Sequence, residues 1–252
     1  MDLQLEGKCA LVTGGSRGIG KAIARSLALE GCDVAIVARG REALEKTAEE
    51  LANETGRRIV PVVGDTGDEA SVSRFVSEAV NQLGRLDILV NNAAVAGGQG
   101  APPTLAEITD EAFWSDVNVK VLGYVRCAKA VAPHMIRGGW GRIVNIGGLA
   151  ARNAGSTITS MRNVSIVALT KNLAEELGPQ GINVTCVHPG GTVTERTTAE
   201  AAQRMAENTT VRRAITAADV AHVVTFLASP LSLAITGDLI PAAGGSGRAI
   251  YY

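Results

Sequence analysis

The order of segments along this 252-residue chain predicts an α/β domain, a doubly wound parallel sheet of seven strands with helices on both faces. Three observations carry that expectation. Short apolar runs alternate with longer helix-forming stretches from end to end. Most of the runs are apolar throughout rather than at every second residue, which suits strands covered on both faces. No linker, repeat or low-complexity segment divides the chain, so residues 1–252 read as one domain.

Cys9-Ala10-Leu11-Val12 reads as the first buried strand, and Ile19, Ala22, Ile23 and Leu27 recur behind it at helical spacing. Between them stands Thr13-Gly14-Gly15-Ser16-Arg17-Gly18-Ile19-Gly20. A strand entering a helix through spaced glycines makes a phosphate-binding turn. Backbone approaches a pyrophosphate closely there, and free N–H groups and the helix dipole meet its charge. The spacing is Gly14-x-x-x-Gly18-x-Gly20, and taken alone such a turn also serves tight bends and helix packing.

Asp33-Val34-Ala35-Ile36-Val37 is the second strand, followed by a stretch over 41–54 rich in strong helix formers. Residues 59–63 make a third strand whose Pro61 suits a sheet edge or a strand start better than a strand centre. Over 69–83, Val72, Phe75, Val76, Ala79, Val80 and Leu83 form one helical stripe. Leu86-Asp87-Ile88-Leu89-Val90 is the fourth strand, and a long helical stretch over 109–136 leads to the fifth, Arg142-Ile143-Val144-Asn145-Ile146. A helix ending near 177 precedes Ile182-Asn183-Val184-Thr185-Cys186-Val187. Helices over 195–208 and 217–228 come before a last strand at 238–241. Right-handed crossovers wind such a sheet both ways and place ligands at the carboxyl ends of its strands.

Composition narrows the function classes. With 46% hydrophobic and 19% charged residues, the chain buries a large core. A net charge of -1 and 3% aromatics argue against a nucleic-acid partner, which wants basic patches and stacking platforms. Cys9, Cys32, Cys127 and Cys186 are scattered without a C-x-x-C pair, and three fall in or beside apolar runs. His134, His188 and His222 are isolated, so no metal site is expected. The N-terminus lacks a signal-peptide pattern and no run reaches membrane-spanning length, which predicts a soluble cytoplasmic protein with a small-molecule substrate and no membrane partner.

Four features, in this order and at these strand ends, point to one family. They are Thr13-Gly14-x-x-x-Gly18-Ile19-Gly20, Asn91-Asn92-Ala93-Ala94 after the fourth strand, Asn118-Val119-Lys120, and His188-Pro189-Gly190-Gly191-Thr192-Val193-Thr194 after the sixth. Over essentially its whole length the chain resembles the short-chain dehydrogenase/reductases. The resemblance implies a Rossmann fold, a bound nicotinamide cofactor, hydride transfer between carbonyl and alcohol, and a homotetramer. It implies roles for Gly14, Ser16, Arg17, Gly18, Ile19 and Gly20 at the pyrophosphate and adenosine ribose. Asp65 falls at the adenine, Asn91 and Ala93 beside a ribose, and Pro189, Gly190, Thr192 and Thr194 at the nicotinamide. The substrate pocket then belongs to the C-terminal half, around 195–211. At the end of the second strand, Val37-Ala38-Arg39-Gly40 carries no carboxylate for a free ribose 2′-hydroxyl. A guanidinium binds a 2′-phosphate bidentately, so Arg39, with Arg17 and Arg41, predicts NADP(H) in preference to NAD(H), unless these arginines simply face solvent.

The family's chemistry uses a serine, a tyrosine and a lysine beyond the fifth strand, with the asparagine matched here by Asn118. Counting back from Ile166-Val167-Ala168-Leu169-Thr170-Lys171, the tyrosine position falls on Thr159 and the lysine position on Asn163. The serine position falls on Gly147 or Gly148. An aliphatic hydroxyl is a far weaker acid than a phenol, and an amide carries no charge. Arg162 adds a cation that either anchors an anionic ligand or faces a neighbour or solvent. Tyr124 reads as core, Tyr251 and Tyr252 as interface or surface, and His188 as strand-end packing or a relay. The leading expectation is an NADP(H)-linked oxidoreductase whose proton path runs through water held by Thr159, Ser160 and Asn118. The alternatives are a cofactor-binding pseudoenzyme or regulatory subunit, and a non-redox lyase or isomerase using Arg162 with Ser156, Thr157, Thr159 and Ser160.

Overall fold

The computed structural model of the chain describes residues 1–95 and 102–247. Its strands, in chain order, are β1 (Cys9–Thr13), β2 (Asp33–Ala38), β3 (Ile59–Val63), β4 (Ile88–Asn91), β5 (Gly141–Ile146), β6 (Ile182–Pro189), β7 (Thr192–Val193), β8 (Ile215–Thr216) and β9 (Leu239–Ala242). Seven of them form a parallel sheet in the order β3-β2-β1-β4-β5-β6-β9. The helices are α1 (Gly18–Leu29), α2 (Arg41–Thr55), α3 (Glu69–Leu83), α4 (Asp110–Val117), α5 (Gly123–Gly138), α6 (Thr157–Leu177), α7 (Ala199–Glu207) and α8 (Ala217–Ala228).

Alternation within the strands supplies two cores. Ala10, Val12, Val34 and Ile36 pack with Ile23 and Leu27 of α1, Leu44 of α2 and Val220 and Val224 of α8. Cys9, Leu11, Ala35 and Val37 turn the other way, onto Val72 and Phe75 of α3 and Val131 and Met135 of α5. The five inner strands, β2, β1, β4, β5 and β6, are therefore buried on both sides, which is why they read as continuous apolar runs. Strand order reverses between β1 and β4, so their carboxyl ends flank the crevice where such sheets bind ligands.

Pro61 sits on edge strand β3, which pairs only with β2. The expected helix over 195–208 begins later, at Ala199, where the Thr198 hydroxyl caps it. The stretch over 109–136 is helical but not uniform. Asn118–Leu122 forms a π turn, in which the Gly123 N–H reaches back five residues to the Asn118 carbonyl. The pair β7–β8, two residues in each strand, is too short to leave a periodic signature. All four cysteines are free and buried. Among the described residues no helix is long and apolar enough to cross a membrane.

Candidate functional site

A cleft of about 890 Å³ opens at the carboxyl edge of the sheet, within the size range of ligand sites. Its first wall is the turn between β1 and α1. Gly14 adopts φ 67°, a left-handed conformation that favours glycine. A Cβ at Gly20 would collide with the Gly14 carbonyl, so the helix meets the turn with no room for a side chain. Thr13 and Asn92 stitch this turn to the end of β4. The Thr13 hydroxyl accepts from the Asn92 and Ala93 amides at 3.0 and 3.1 Å, and the Asn92 side chain donates to the Thr13 carbonyl at 3.0 Å.

The N-terminus of α1 fits an anion. Asp68, Thr109, Ser156, Thr198 and Thr216 cap other helices with their side chains, whereas Arg17 leaves α1 uncapped. The Gly18 amide instead donates to both carboxylate oxygens of Glu195, at 3.2 Å. A carboxylate from 177 residues away thus stands where free N–H groups and the helix dipole attract negative charge. Arg17 and Arg39 also line the cleft, and neither takes part in an ion pair among the described residues. Arg41 does not line it and pairs with Glu45 at 3.1 Å.

Of the residues expected at the cofactor, Gly14, Ser16, Arg17, Gly18, Ile19 and Gly20 line the near wall. Arg39, Asp65 and Ala93 line the middle, and Pro189, Gly190, Thr192 and Thr194 the far wall. The Asp65 carboxylate is turned partly inward, accepting from the Gly67 amide at 2.8 Å. Asn91 does not reach the cleft surface; it is fully buried and donates to the Asn145 side chain at 3.0 Å.

At the other end Lys120 and Arg162 line the cleft, whereas Asn118, Gly148, Thr159, Ser160 and Asn163 stand behind that wall and do not line it. Asn118, on the π turn, donates to the Gly67 carbonyl at 2.9 Å. Thr159 lies in the first turn of α6, where its hydroxyl accepts from Ser156, the cap of that helix, at 3.0 Å. The Ser160 hydroxyl donates to the Asn153 carbonyl at 3.1 Å. Asn163 is buried, its side-chain amide donating to the Thr159 carbonyl at 2.9 Å. A Cβ at Gly147 would press on the His188 ring at 2.7 Å, while one at Gly148 would meet the Asn163 amide at 3.1 Å. Only Gly148 has room for a modest side chain, and that side chain would face Asn163.

Arg162 lines the cleft and is held in an ion pair with Asp116, while its buried Nε has no hydrogen-bond partner among the described residues. Tyr124 is fully buried, its hydroxyl donating to the Ile146 carbonyl at 3.0 Å, and burial raises its pKa well above the usual phenol value. His188 is fully buried with no hydrogen-bond partner on either ring nitrogen. Burial, then Arg152 and Lys120, pulls its pKa down to about 4, which keeps the ring neutral and removes it as a relay near pH 7. Tyr251 and Tyr252 lie outside the described residues.

Two participants escaped the sequence reading. One is Glu195, whose approach to α1 depends on the fold of the loop after β7. The other is Lys120, which lines the cleft although only 4% exposed. Its ammonium donates to the Gly147 carbonyl and to Asn163 Oδ1, each at 3.0 Å. The one signal was a lysine flanked by Val119, Val121 and Leu122, an apolar setting for a charge.

Residues 14–246 match the family model described as enoyl-(acyl carrier protein) reductase. The chain is 34% identical over 258 residues to the 3-oxoacyl-(acyl-carrier-protein) reductase FabG of Aquifex aeolicus, covering 97% of this chain and 99% of that protein. It superposes on L-sorbose reductase from Gluconobacter frateurii, solved with NADPH and L-sorbose, with a TM-score of 0.91 at 28% identity, over 99% and 100% of the two chains. A 7α-hydroxysteroid dehydrogenase solved with NADH and 7-oxoglycochenodeoxycholic acid gives 0.88 at 30% identity, over 99% and 98%.

Proposed function

This chain belongs to the short-chain dehydrogenase/reductase family, and we propose that it is an NADP(H)-preferring oxidoreductase acting on a carbonyl or alcohol group of a small molecule. The observation that carries the reading is the uncapped end of α1, its Gly18 amide held by a carboxylate in the place of a phosphate. When bound, a nicotinamide dinucleotide supplies or takes up the hydride. Gly14 to Gly20 would receive the pyrophosphate against the α1 N-terminus, with Glu195 swung aside. Arg17 and Arg39 would receive a 2′-phosphate, Asp65 the adenine, and Ala93 a ribose, with Asn91 buried behind it. Pro189, Gly190, Thr192 and Thr194 would hold the nicotinamide end, with the substrate bound in the C-terminal half beside it.

The three relatives act on an acyl thioester, a sugar and a steroid by name, so relatedness alone selects no substrate. The catalytic positions set this chain apart: Thr159 replaces the family's tyrosine, Asn163 its lysine and Gly148 its serine, beside a retained Asn118. The engagement of Arg162 by Asp116 weighs against a non-redox reaction built on that cation. Exposed Trp114, Leu122, Val125, Met161 and Val164, on α4, the π turn, α5 and α6, favour assembly into a homotetramer. Four unpaired thiols suit a reducing cytoplasm.

Titration calorimetry with NADPH and NADH, followed by a turnover screen over carbonyls and alcohols, tests the reading. Tighter NADPH binding with steady consumption on at least one substrate is expected. Binding without turnover across the screen would favour a cofactor-holding subunit instead, and no binding of either dinucleotide would end both readings.

A further inference from the structure

Lys120 presents a buried ammonium that the family's known chemistry does not account for. It rises from the π turn, and such turns redirect side chains that a regular helix would place elsewhere. Its Nζ meets Asn163, the residue at the family's lysine position, and the backbone carbonyl of Gly147, next to the serine position. An amine from a different element therefore reaches the place where the family keeps its lysine. Both partners are neutral oxygens. An ammonium has three N–H donors, and these two contacts use two of them. The side chain also belongs to the cleft wall, and its third donor has no partner among the described residues.

We propose that Lys120 is the proton-transferring group of this site, taking over from the phenol that the chain lacks. The inference rests on the oxidoreductase reading above. In the reducing direction, the substrate carbonyl carbon would accept one hydride, a hydrogen with its two electrons, from the reduced nicotinamide as the carbonyl π pair passes to oxygen. Its oxygen takes a proton from Nζ, so that an N–H bond breaks and an O–H bond forms. The neutral amine then regains its proton from solvent. Oxidation runs the same step backwards, with the neutral amine as base.

The surroundings suit that work near neutral pH. Burial, then the Arg162 guanidinium, pulls the Lys120 ammonium down to about 7, with Cys186 and Asp116 acting in the opposite direction. Of the other groups facing it, two have displaced pKa values and two are joined in an ion pair. The Cys186 thiol on β6 is pushed up to about 12 by burial, His188 is held neutral, and Arg162 on α6 is closed by Asp116 on α4. Arg152 lies near enough for its charge to be felt at His188. A group whose pKa lies near the operating pH is an efficient proton donor and acceptor.

Carbon-13 NMR titration of ε-labelled lysine in the cofactor-free protein, assigned by loss of one resonance in Lys120→Met, reads the amine directly. A midpoint near pH 7 is expected, and one above pH 9 would overturn the proposal. Single-turnover carbonyl reduction should fall tenfold per pH unit above that midpoint. Lys120→Met should lower reduction by about 10²–10⁴-fold, the usual worth of general acid catalysis, with NADPH affinity held within about threefold. Asn163→Asp, which sets a carboxylate against the amine, should move the break upward by about 1–3 pH units. Should Lys120→Met turn over within fivefold of the parent, or Asn163→Asp leave the break in place, the lysine is structural and only this proposal falls. Absence of turnover in the parent protein despite NADPH binding removes the oxidoreductase reading along with it.

Discussion

At the α1 end of the cleft the wall is backbone: a left-handed Gly14, a Gly20 pressed against the Gly14 carbonyl, and amides tied by Thr13 and Asn92. At the β5 end it is side chain: Lys120 from a π turn, backed by Asn163, and Arg162 of α6, closed by Asp116. The first end tolerates little change, because backbone cannot step aside. The second is held by side chains from separate elements, joined by hydrogen bonds and an ion pair. Within one cleft, one wall is thus set by backbone conformation and the other by side-chain placement.

Breaking the backbone end should have the largest effect. Gly20→Val drives side-chain carbons into the Gly14 carbonyl, and overpacking of this kind typically costs about 1–3 kcal/mol or more. Dinucleotide binding should be lost outright, with a lower denaturant midpoint; a variant that still binds NADPH normally would show that the turn is more yielding than its geometry.

Refitting the side-chain end gives the next effect. Gly148→Ser, Thr159→Tyr and Asn163→Lys together restore the family's residues but set a second ammonium against Lys120. That triple variant should stay poor, while adding Lys120→Met should raise carbonyl reduction by about 10²–10⁴-fold. Equal rates for the triple and quadruple variants would mean that the two lysines do not compete for one place.

Arg39→Glu tests the cofactor's phosphate. Hydrogen bonds to charged groups contribute about 1.5–3 kcal/mol, so NADPH should weaken by roughly 10–100-fold while NADH changes little or improves. Calorimetry showing equal losses for both dinucleotides would detach Arg39 from the 2′-phosphate.

A pair of neighbours sharpens the contrast further. Gly147→Ser, pressing on the buried His188 ring, should cost about 1–3 kcal/mol in chemical denaturation, and Gly148→Ser clearly less. The smallest effect belongs to Glu195→Gln. Removing a charge at a helix N-terminus changes binding there by about 0.3–1 kcal/mol, so NADPH affinity should rise a few-fold. A fall in affinity would mean that Glu195 assists the cofactor rather than standing in its place.

Much of this was legible before any coordinates. Seven strands, the burial of the inner five on both faces, Pro61 at an edge and Tyr124 in the core all follow from local pattern. The glycine turn was readable too, since its conformation is written into residues that lack a Cβ. Arg162 was not, because its partner Asp116 lies 46 positions away on another helix. Nor were the later start of α7 and the pair β7–β8, each set by a cap or pairing only residues long.

Periodicity, glycine spacing and the absence of phenol at position 159 belong to the sequence itself, because each acts through neighbours along the chain. Which amine reaches Asn163, which carboxylate meets the Gly18 amide and which glycine has space beside His188 were decided by the tertiary structure. Those outcomes join residues between 41 and 177 positions apart, and only packing of the sheet and its helices brings them within hydrogen-bonding or van der Waals distance.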